Sequence, residues 1–359
     1  MSRAREFADL AGSASAGGLT GKNLILNGAM KVAQRGTSSS SAGKLLDGHH
    51  WVVNNFDELV FAQSQSSTAP DGFANSMRFQ VTTAESALAA DEIIYVRQRI
   101  EGQDLQHLKF GTSSAESITL SFWVRSSLTG KYSVLIYNDD AQRSNLQSYT
   151  VSAADTWEHK TITFDGDTSN GFDDDNNRSM TVFFTLAAGT NYTGTPHTGW
   201  GAYSATDDFA HSDAVNFAAQ TGNWYITGIQ LEVGQQATPF EHEDAGTTIA
   251  KCSRYYVDGV FRGAGYMSST SATFSMSMPY PMRLFGSAVS GATLTASGNG
   301  AAVDSGGTRR TFTISAMGLS SGTTENRLSC SFTHSYTFGS GDNAIAGGLN
   351  GSFTVDMEL

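Results

Sequence analysis

Apolar and polar residues alternate most clearly in the stretch 222–234. Apolar side chains recur there at every second position, with one interruption at Gly228. An alternation with period two places one set of side chains in a core and the other in water, which is typical of a half-buried β-strand. The exit at 237–242 contains a proline, which cannot continue a strand. We therefore predict that this stretch is the last strand of a large β domain.

Similar patterns precede this strand and are bounded by Gly, Pro, Asn and Ser. The predicted strands are 51–56, 59–65, 76–81, 93–100, 117–125, 132–137, 157–164 and 180–186. Regularly spaced strands with turn signals between them favour a two-sheet sandwich or jelly roll. The longest predicted loops are 165–179 and 191–219.

The last third of the chain begins with a short helical or turn segment at 247–256. Gly-, Ser- and Asn-rich connections then separate predicted strands at 266–278, 288–296, 308–315, 327–336 and 352–358. We predict an all-β protein, in which a large jelly-roll/β-sandwich domain at 23–245 precedes a smaller C-terminal β-sandwich domain at 246–359. Residues 1–22 form a short N-terminal anchoring segment and linker.

The composition agrees with strands joined by tight turns, because the chain has 38 Gly and only 16% charged residues. The formal net charge is −12, and almost all of the excess acidic residues lie between 23 and 245. A nucleic-acid-binding protein needs a basic surface, so that class is disfavoured, as is binding to an anionic membrane. No apolar run is long enough to insert into a membrane, and no secretory signal precedes the first domain, so we expect synthesis in a cytoplasm.

The N-terminal residues 2–10 can form two helical turns, and a Gly/Ser/Ala-rich linker follows at 12–21. Such a segment is either a disordered tail or a peptide that docks on another protein. We favour docking, through the cationic and apolar residues Arg3, Arg5, Phe7 and Leu10.

Several motifs occur in order between residues 23 and 256. They are Asn-Leu-Ile-Leu-Asn-Gly-Ala-Met-Lys-Val-Ala-Gln-Arg-Gly at 23–36, Ser-Phe-Trp-Val-Arg at 121–125, Trp-Glu-His-Lys-Thr-Ile-Thr at 157–163, Gly-Asp-Thr at 166–168, Ile-Thr-Gly-Ile-Gln-Leu-Glu-Val-Gly at 226–234, Ala-Thr-Pro-Phe-Glu-His at 237–242 and Cys-Ser-Arg-Tyr-Tyr at 252–256. Together they resemble a large family of tailed-phage fibre and virion structural proteins. Asp-Gly-His-His-Trp at 47–51 departs from that family's Tyr/Asp-Arg-Trp element.

This resemblance implies a jelly-roll domain like those of carbohydrate-binding modules, carried by a homotrimeric virion appendage assembled in the host cytoplasm. Its partners would be other virion proteins, contacted through the N-terminus, and polysaccharide on the host surface. It implies no catalytic mechanism, and we expect a protein that is not an enzyme and has no cofactor.

The loop 191–217 is the predicted glycan site, because aromatic rings stack on sugar faces while carboxylates and amides bond hydroxyls. The candidate residues are Tyr192, His197, Trp200, Tyr203, Asp207 and Asp208. Alternatively, these aromatic rings fasten a long loop to the sandwich or to a neighbouring subunit.

Other candidate sites have weaker patterns. The acidic loop 165–177 offers oxygen ligands for calcium, but it lacks the EF-hand spacing, so we favour a solvated loop without metal. The stretches His49-His50 and Glu241-His242-Glu243 are too short for a metal motif. The aspartates at 173–175, 207, 208 and 213 offer carboxylates for a glycosidase pair, as any acidic loop would. The functional hypotheses are thus an adhesive tail fibre, a purely architectural head or collar protein, and a glycan depolymerase.

Overall fold

The computed structural model describes residues 21–194, 199–206, 208–268, 271–277, 293–303, 309–319, 327–334 and 344–357. The chain divides into two compact units, with the division between Thr248 and Ile249. Strands dominate both units, so the predicted all-β class is confirmed. None of the helices in the described residues is long and apolar enough to cross a membrane.

The first unit is a β-sandwich of two antiparallel sheets. Sheet A has the order β1 (Ser38–Ser39), β3 (Val60–Ser66), β4 (Ser76–Thr83), β14 (Gly222–Val233), β6 (Ile118–Ser126) and β9 (Glu158–Phe164). Sheet B has the order β12 (Gly201–Ala202), β8 (Arg143–Val151), β7 (Gly130–Asn138), β10 (Arg178–Ala188), β5 (Ile93–Glu101) and β2 (His50–Asn54). Two short strands, β11 (Thr193–Gly194) and β13 (Ala210–His211), pair in parallel, and 3-10 turns occupy Gly102–Asp104, Gln106–Leu108 and Phe217–Ala219.

The core lies between the two sheets and is built by the alternation that the sequence shows. In β6, for example, Ile118, Leu120, Phe122 and Val124 are fully buried. The largest buried rings include Trp51, Trp224, Phe79, Phe122 and Phe217. Because both sheets contribute one apolar face, the expected jelly-roll/β-sandwich architecture is confirmed.

Strand β14 lies near the middle of sheet A, between β4 and β6, and it carries a bulge at the predicted break. Gly228 has φ +61, in the left-handed region that favours glycine, and the register with β6 skips from Thr227 to Gln230. The bulge frees the backbone of Ile229, whose N–H donates to the Gly28 carbonyl at 3.0 Å. The Asn23 amide donates to the Ile229 carbonyl at 3.0 Å.

The segment 21–36, which contains the first motif, is therefore hydrogen-bonded to β14, although the two are some 200 residues apart in the sequence. Asn23 also accepts from the Leu231 N–H at 3.0 Å. Farther along, Asp47 is 1% exposed and accepts from Arg35 Nη1 at 3.1 Å and from the Gln34 N–H at 2.9 Å. These motif residues stabilise the fold of the first unit.

One long strand of the first unit, β8, was not predicted, and neither were the two-residue strands β1, β11, β12 and β13. β8 has the sequence Arg-Ser-Asn-Leu-Gln-Ser-Tyr-Thr-Val, and polar residues occupy both of its faces. It lacks an apolar alternation because Ser144 and Asn145, although buried, are polar. Its position in sheet B depends on nine register pairs with β7 rather than on its own pattern.

The second unit is a closed six-stranded barrel, whereas the sequence led us to expect a two-sheet sandwich. Helix α1 (Ala245–Ser253) leads into it, and the strands are β15 (Tyr256–Ser268), β16 (Ser271–Ser277), β17 (Thr293–Val303), β18 (Arg309–Leu319), β19 (Arg327–His334) and β20 (Ala344–Asp356). The barrel closes because β20 pairs along its length with both β15 and β17, which leaves no unpaired edge. Most of β15 was not predicted, because its glycines interrupt the apolar alternation.

Candidate functional site

The side of sheet B that faces away from sheet A is covered in part by the connection 189–221, and we call it the loop-covered face. Along β5, Ile94 and Val96 belong to the main core, while Ile93 and Tyr95 belong to a separate cluster on the other side. The connection is tied down by backbone bonds, including the Val215 N–H to the Lys131 carbonyl at 2.8 Å. This face is where a ligand could meet both loop and sheet residues.

The aromatic rings of the connection pack on the loop-covered face. Phe209 is central, with ring centroids 5.5 Å from Tyr95, 5.5 Å from Phe183, 5.8 Å from Tyr192 and 6.2 Å from Tyr203. Burial raises the pKa of the Tyr203 phenol well above its usual range. Tyr192 and Tyr203 thus fasten the loop to the sheet, as the alternative interpretation of these rings expects.

Two other predicted glycan residues, Trp200 and Asp208, are not part of this cluster. Trp200 packs against Phe110 at 5.5 Å, and its indole N–H donates to the Asp165 carbonyl at 2.6 Å. Asp208 is 1% exposed and accepts from the Ser144 hydroxyl at 2.8 Å and from the Ser204 N–H at 2.6 Å. His197, Asp207 and the predicted docking residues Arg3, Arg5, Phe7 and Leu10 lie outside the described residues.

A cleft of about 290 Å³ opens between the end of β10 and the connection that covers it. We call it the β10 cleft, and its walls mix apolar, hydroxyl and imidazole side chains. They include Leu88, Thr185, Thr190, Thr193, His211 and Asn216. A bulge between Thr185 and Ala187 shifts the register of β10 against β5 at this point, and such bulges re-aim side chains.

Two polar atoms of the cleft have no partner within the described residues. Thr185 is 3% exposed and its Oγ1 makes no hydrogen bond, and the buried Nε2 of His211 makes none either. The His211 backbone N–H donates to Ser133 Oγ at 3.1 Å. Burial, with a smaller contribution from Lys131, lowers the pKa of His211, so the imidazole is neutral at pH 7. The cleft therefore offers a hydroxyl and a neutral imidazole to a polar ligand.

Farther along the same face, three arginines approach one carboxylate, and we call this group the arginine patch. It consists of Arg97 and Arg99 on β5, Arg178 on β10 and Asp139 after β7. Asp139 accepts from Arg178 Nε at 3.0 Å and from Thr181 Oγ1 at 2.6 Å. Burial raises the pKa of Asp139, and the Thr181 hydrogen bond and the arginines oppose that rise.

The acidic loop at 165–177 is held by structural contacts. Asp167 is 2% exposed and pairs with Arg143, with Nε 2.6 Å from Oδ2. No group of three His, Cys, Asp or Glu side chains within the described residues is arranged to hold a metal ion. At the rim of the β10 cleft, Asp213 accepts from Lys131 Nζ at 2.6 Å, which lowers the pKa of the Asp213 carboxyl.

Sequence reasoning missed Thr185, His211 and the arginines of β5. The only local signal was the unusual presence of Arg97 and Arg99 at alternating positions of a strand that is otherwise apolar. Thr185 and His211 are 26 positions apart and show no motif.

No protein-family model matches the chain, and no curated protein sequence matches it. Similar solved structures include the enzymatically active domain of tailspike protein 4 from bacteriophage CBA120, with 9% identity, 59% of this chain and 21% of that chain covered, and a TM-score of 0.32. The family 11 carbohydrate-binding module of cellulase Lic26A-Cel5E from Clostridium thermocellum matches with 13% identity, 58% and 95% coverage and a TM-score of 0.27. The N-terminal cellulose-binding domain of Cellulomonas fimi β-1,4-glucanase C matches with 13% identity, 56% and 97% coverage and a TM-score of 0.28. The chain thus spans about a fifth of the tailspike domain's length.

Proposed function

We propose that this protein is a structural component of a tailed-phage virion, a homotrimeric tail fibre that adheres to host-surface glycans through the loop-covered face of its sandwich. The N-terminal segment docks on the particle. Each protomer contributes one weak glycan site, and several sites on one particle raise the overall avidity through effective concentration.

The virion assignment is supported by the ordered motifs between residues 23 and 256. Their residues have a physical reason to occur together, because Asn23 and Gly28 at one end of the series bond the bulge of β14 at the other.

The glycan assignment is supported above all by the β10 cleft. A buried hydroxyl without a partner costs about 1–3 kcal/mol. Thr185 Oγ1 and His211 Nε2 both lie in such positions and border a space of about 290 Å³, close to the lower end of ligand-site volumes. A polyhydroxylated ligand would satisfy both atoms at once, because each sugar hydroxyl both donates and accepts.

Thr185→Val tests the cleft, because valine keeps the shape of threonine and removes only the hydroxyl. We expect the free energy of unfolding to rise by about 1 kcal/mol, since an unsatisfied buried group disappears. Affinity for the host polysaccharide should fall about tenfold, which corresponds to one lost hydrogen bond. The measurements are urea unfolding and binding of the purified protein to host cells and a polysaccharide panel.

Thr227→Val is the matched control, because its hydroxyl is also buried but donates to the Asn75 carbonyl at 2.7 Å in sheet A. This variant should lose stability and keep its affinity. If Thr185→Val binds as tightly as the natural chain, the cleft is not the glycan site.

A purely architectural virion protein is the second candidate. The packing of Tyr192 and Tyr203 around Phe209 favours this role, because rings that hold the loop on the sheet have a structural function without any ligand. No binding to host cells or to any polysaccharide by the intact protein would support this role instead.

A further inference from the structure

Arg99 has no ion pair of its own among the described residues, because Asp139, the carboxylate that attracts it, is bonded to Arg178. Arg99 lies partly buried on β5, its Nε is buried without a partner, and none of the described residues forms an ion pair with it. Burial, together with Arg97 and Arg178, lowers the pKa of Arg99 to about 10 against the smaller opposing effect of Asp139, which still leaves the guanidinium charged at pH 7. A partly buried charge without a close ion-pair partner is destabilising, so this position has a physical reason to bind an anion.

Arg97 extends the same positive surface. It is two residues away on the same strand face, so the two Cα atoms are roughly 7 Å apart. Its Nε is also buried without a partner, and its Nη2 lies 3.3 Å from His50 Nδ1 at the edge strand β2. Two adjacent guanidiniums therefore have donors that the fold does not use.

The neighbouring carboxylates are already engaged. Asp139 is held by Thr181 and Arg178, and Glu101 accepts from Gln103 Nε2 at 2.6 Å. The patch thus combines three arginines with one carboxylate, and the adjacent Glu101 has another partner, in a chain whose net charge is −12. A protein with this net charge repels polyanions at long range, so binding of a polyanion requires a local, specific positive site.

Aromatic rings border the patch. In the register of sheet B, Arg99 lies opposite Thr181, and Thr181 lies opposite Tyr137. The Tyr137 ring packs on Tyr203 at 4.5 Å, and Arg97 lies 6.0 Å from the centre of the Tyr95 ring. Phe209 covers Tyr95, so a sugar ring can pack on the half-buried Tyr137 while its charged substituent reaches the guanidiniums.

We infer that the arginine patch binds the anionic substituents of an acidic polysaccharide, so that the glycan bound at the loop-covered face is negatively charged. This inference rests on the proposed function of the face as a glycan-binding surface. A guanidinium matches a carboxylate with two parallel N–H···O bonds, and it also bonds a sulfate ester. Along β10, Thr185 of the cleft and Thr181, which donates to Asp139 of the patch, are about 13 Å apart, so one oligosaccharide can reach both.

The test measures binding of the full-length protein to polygalacturonate, to dextran sulfate and to uncharged dextran. We expect binding to at least one acidic polymer and at least tenfold weaker binding to dextran. Arg99→Gln should weaken binding to the acidic polymer tenfold or more. Arg99→Lys keeps the charge but cannot form the bidentate hydrogen bonds, so it should weaken binding less. Comparing the two acidic polymers distinguishes a carboxylate from a sulfate.

Arg125→Gln is the matched control, because it makes the same change in net charge on sheet A, where Arg125 lies 5.6 Å from the centre of the Tyr225 ring. Its binding should equal that of the natural chain. Urea unfolding of every variant verifies that each is folded.

The outcomes separate the two proposals. Equal binding to dextran and to the acidic polymers, or undiminished acidic binding by folded Arg99→Gln, overturns the inference and leaves glycan adhesion in place. Binding to no polysaccharide and to no host cell overturns adhesion itself.

Discussion

At the scale of single residues, His49 shows how burial changes the chemistry of a side chain. It is 3% exposed and borders a small cavity inside the sandwich together with Ile25, Val96 and Ile229. Burial lowers the pKa of the His49 imidazole to about 4, and backbone hydrogen bonds with Asn27 and Leu26 oppose this shift. The histidine is therefore neutral in the folded chain at pH 7.

The folded protein should lose stability as the pH falls from about 6.5 to about 4. In that window the unfolded chain binds a proton at His49 that the folded chain does not bind, so protonation favours unfolding. The loss should be on the order of 3 kcal/mol at pH 4, from a shift of about 2.5 pH units. Urea unfolding at pH 7.5, 5.5 and 4 measures it.

His49→Gln should remove that part of the pH dependence, since glutamine does not titrate. His107→Gln is the control, because His107 is exposed and keeps His49 in place. An equal slope of stability against pH in His49→Gln and in the natural chain would show that His49 is not responsible.

At the scale of elements, the contact between the N-terminal segment and β14 explains why a glycine stands at position 28. A Cβ atom there would lie 2.1 Å from the Ile229 carbonyl oxygen, which is backbone and cannot move aside. The same contact carries the hydrogen bond from the Ile229 N–H to the Gly28 carbonyl.

Gly28→Ala should therefore destabilise the first unit by about 1–3 kcal/mol, because the added methyl group forces the segment away from the bulge. Gly246→Ala in α1 is the control, since a Cβ there would meet only the flexible Asp244 side chain, at 3.1 Å. Urea midpoints compare the two. If the Gly28→Ala chain is as stable as the natural one, the segment can shift to accommodate the methyl group without a loss of folding stability.

The packing of the connection 189–221 determines which substitutions can test the site. Phe217 and Ala218 at its end are fully buried in the main core, and Phe209 covers Tyr95 and Phe183. Replacing residues 191–219 with a flexible linker would remove part of the core as well as the site. Single substitutions such as Thr185→Val separate these effects.

At the scale of the whole molecule, the proposed adhesion depends on the assembly of several chains. Weak sites raise the overall avidity only when they are linked in one particle. We expect the full-length protein to sediment at about three times the chain mass of 38.1 kDa. Sedimentation velocity over a dilution series measures this. A species of single-chain mass at all concentrations would contradict the trimer, and with it the multivalent form of the proposal.

The sequence by itself determined the class of structure and most strands of the first unit. Alternation is a local property, so β6 and β14 could be predicted from their own residues, and even the bulge was visible as the break at Gly228. β8 could not be predicted in this way, because its polar residues are buried by neighbours that are distant in sequence. The barrel closure is a pairing between the two ends of the second unit, and no local pattern encodes it.

The candidate site was decided by tertiary structure. The loop 191–217 was predicted as functional because of its aromatic residues, yet whether those rings face a ligand or the sheet depends on what lies beneath them, which is Tyr95 and Phe183. Thr185 and His211 line one cleft, and Arg99 feels the charge of Asp139, only because long-range pairing and packing bring separate segments side by side. Local periodicity sets which way a side chain points from its strand, whereas its neighbours are set by long-range pairing and packing.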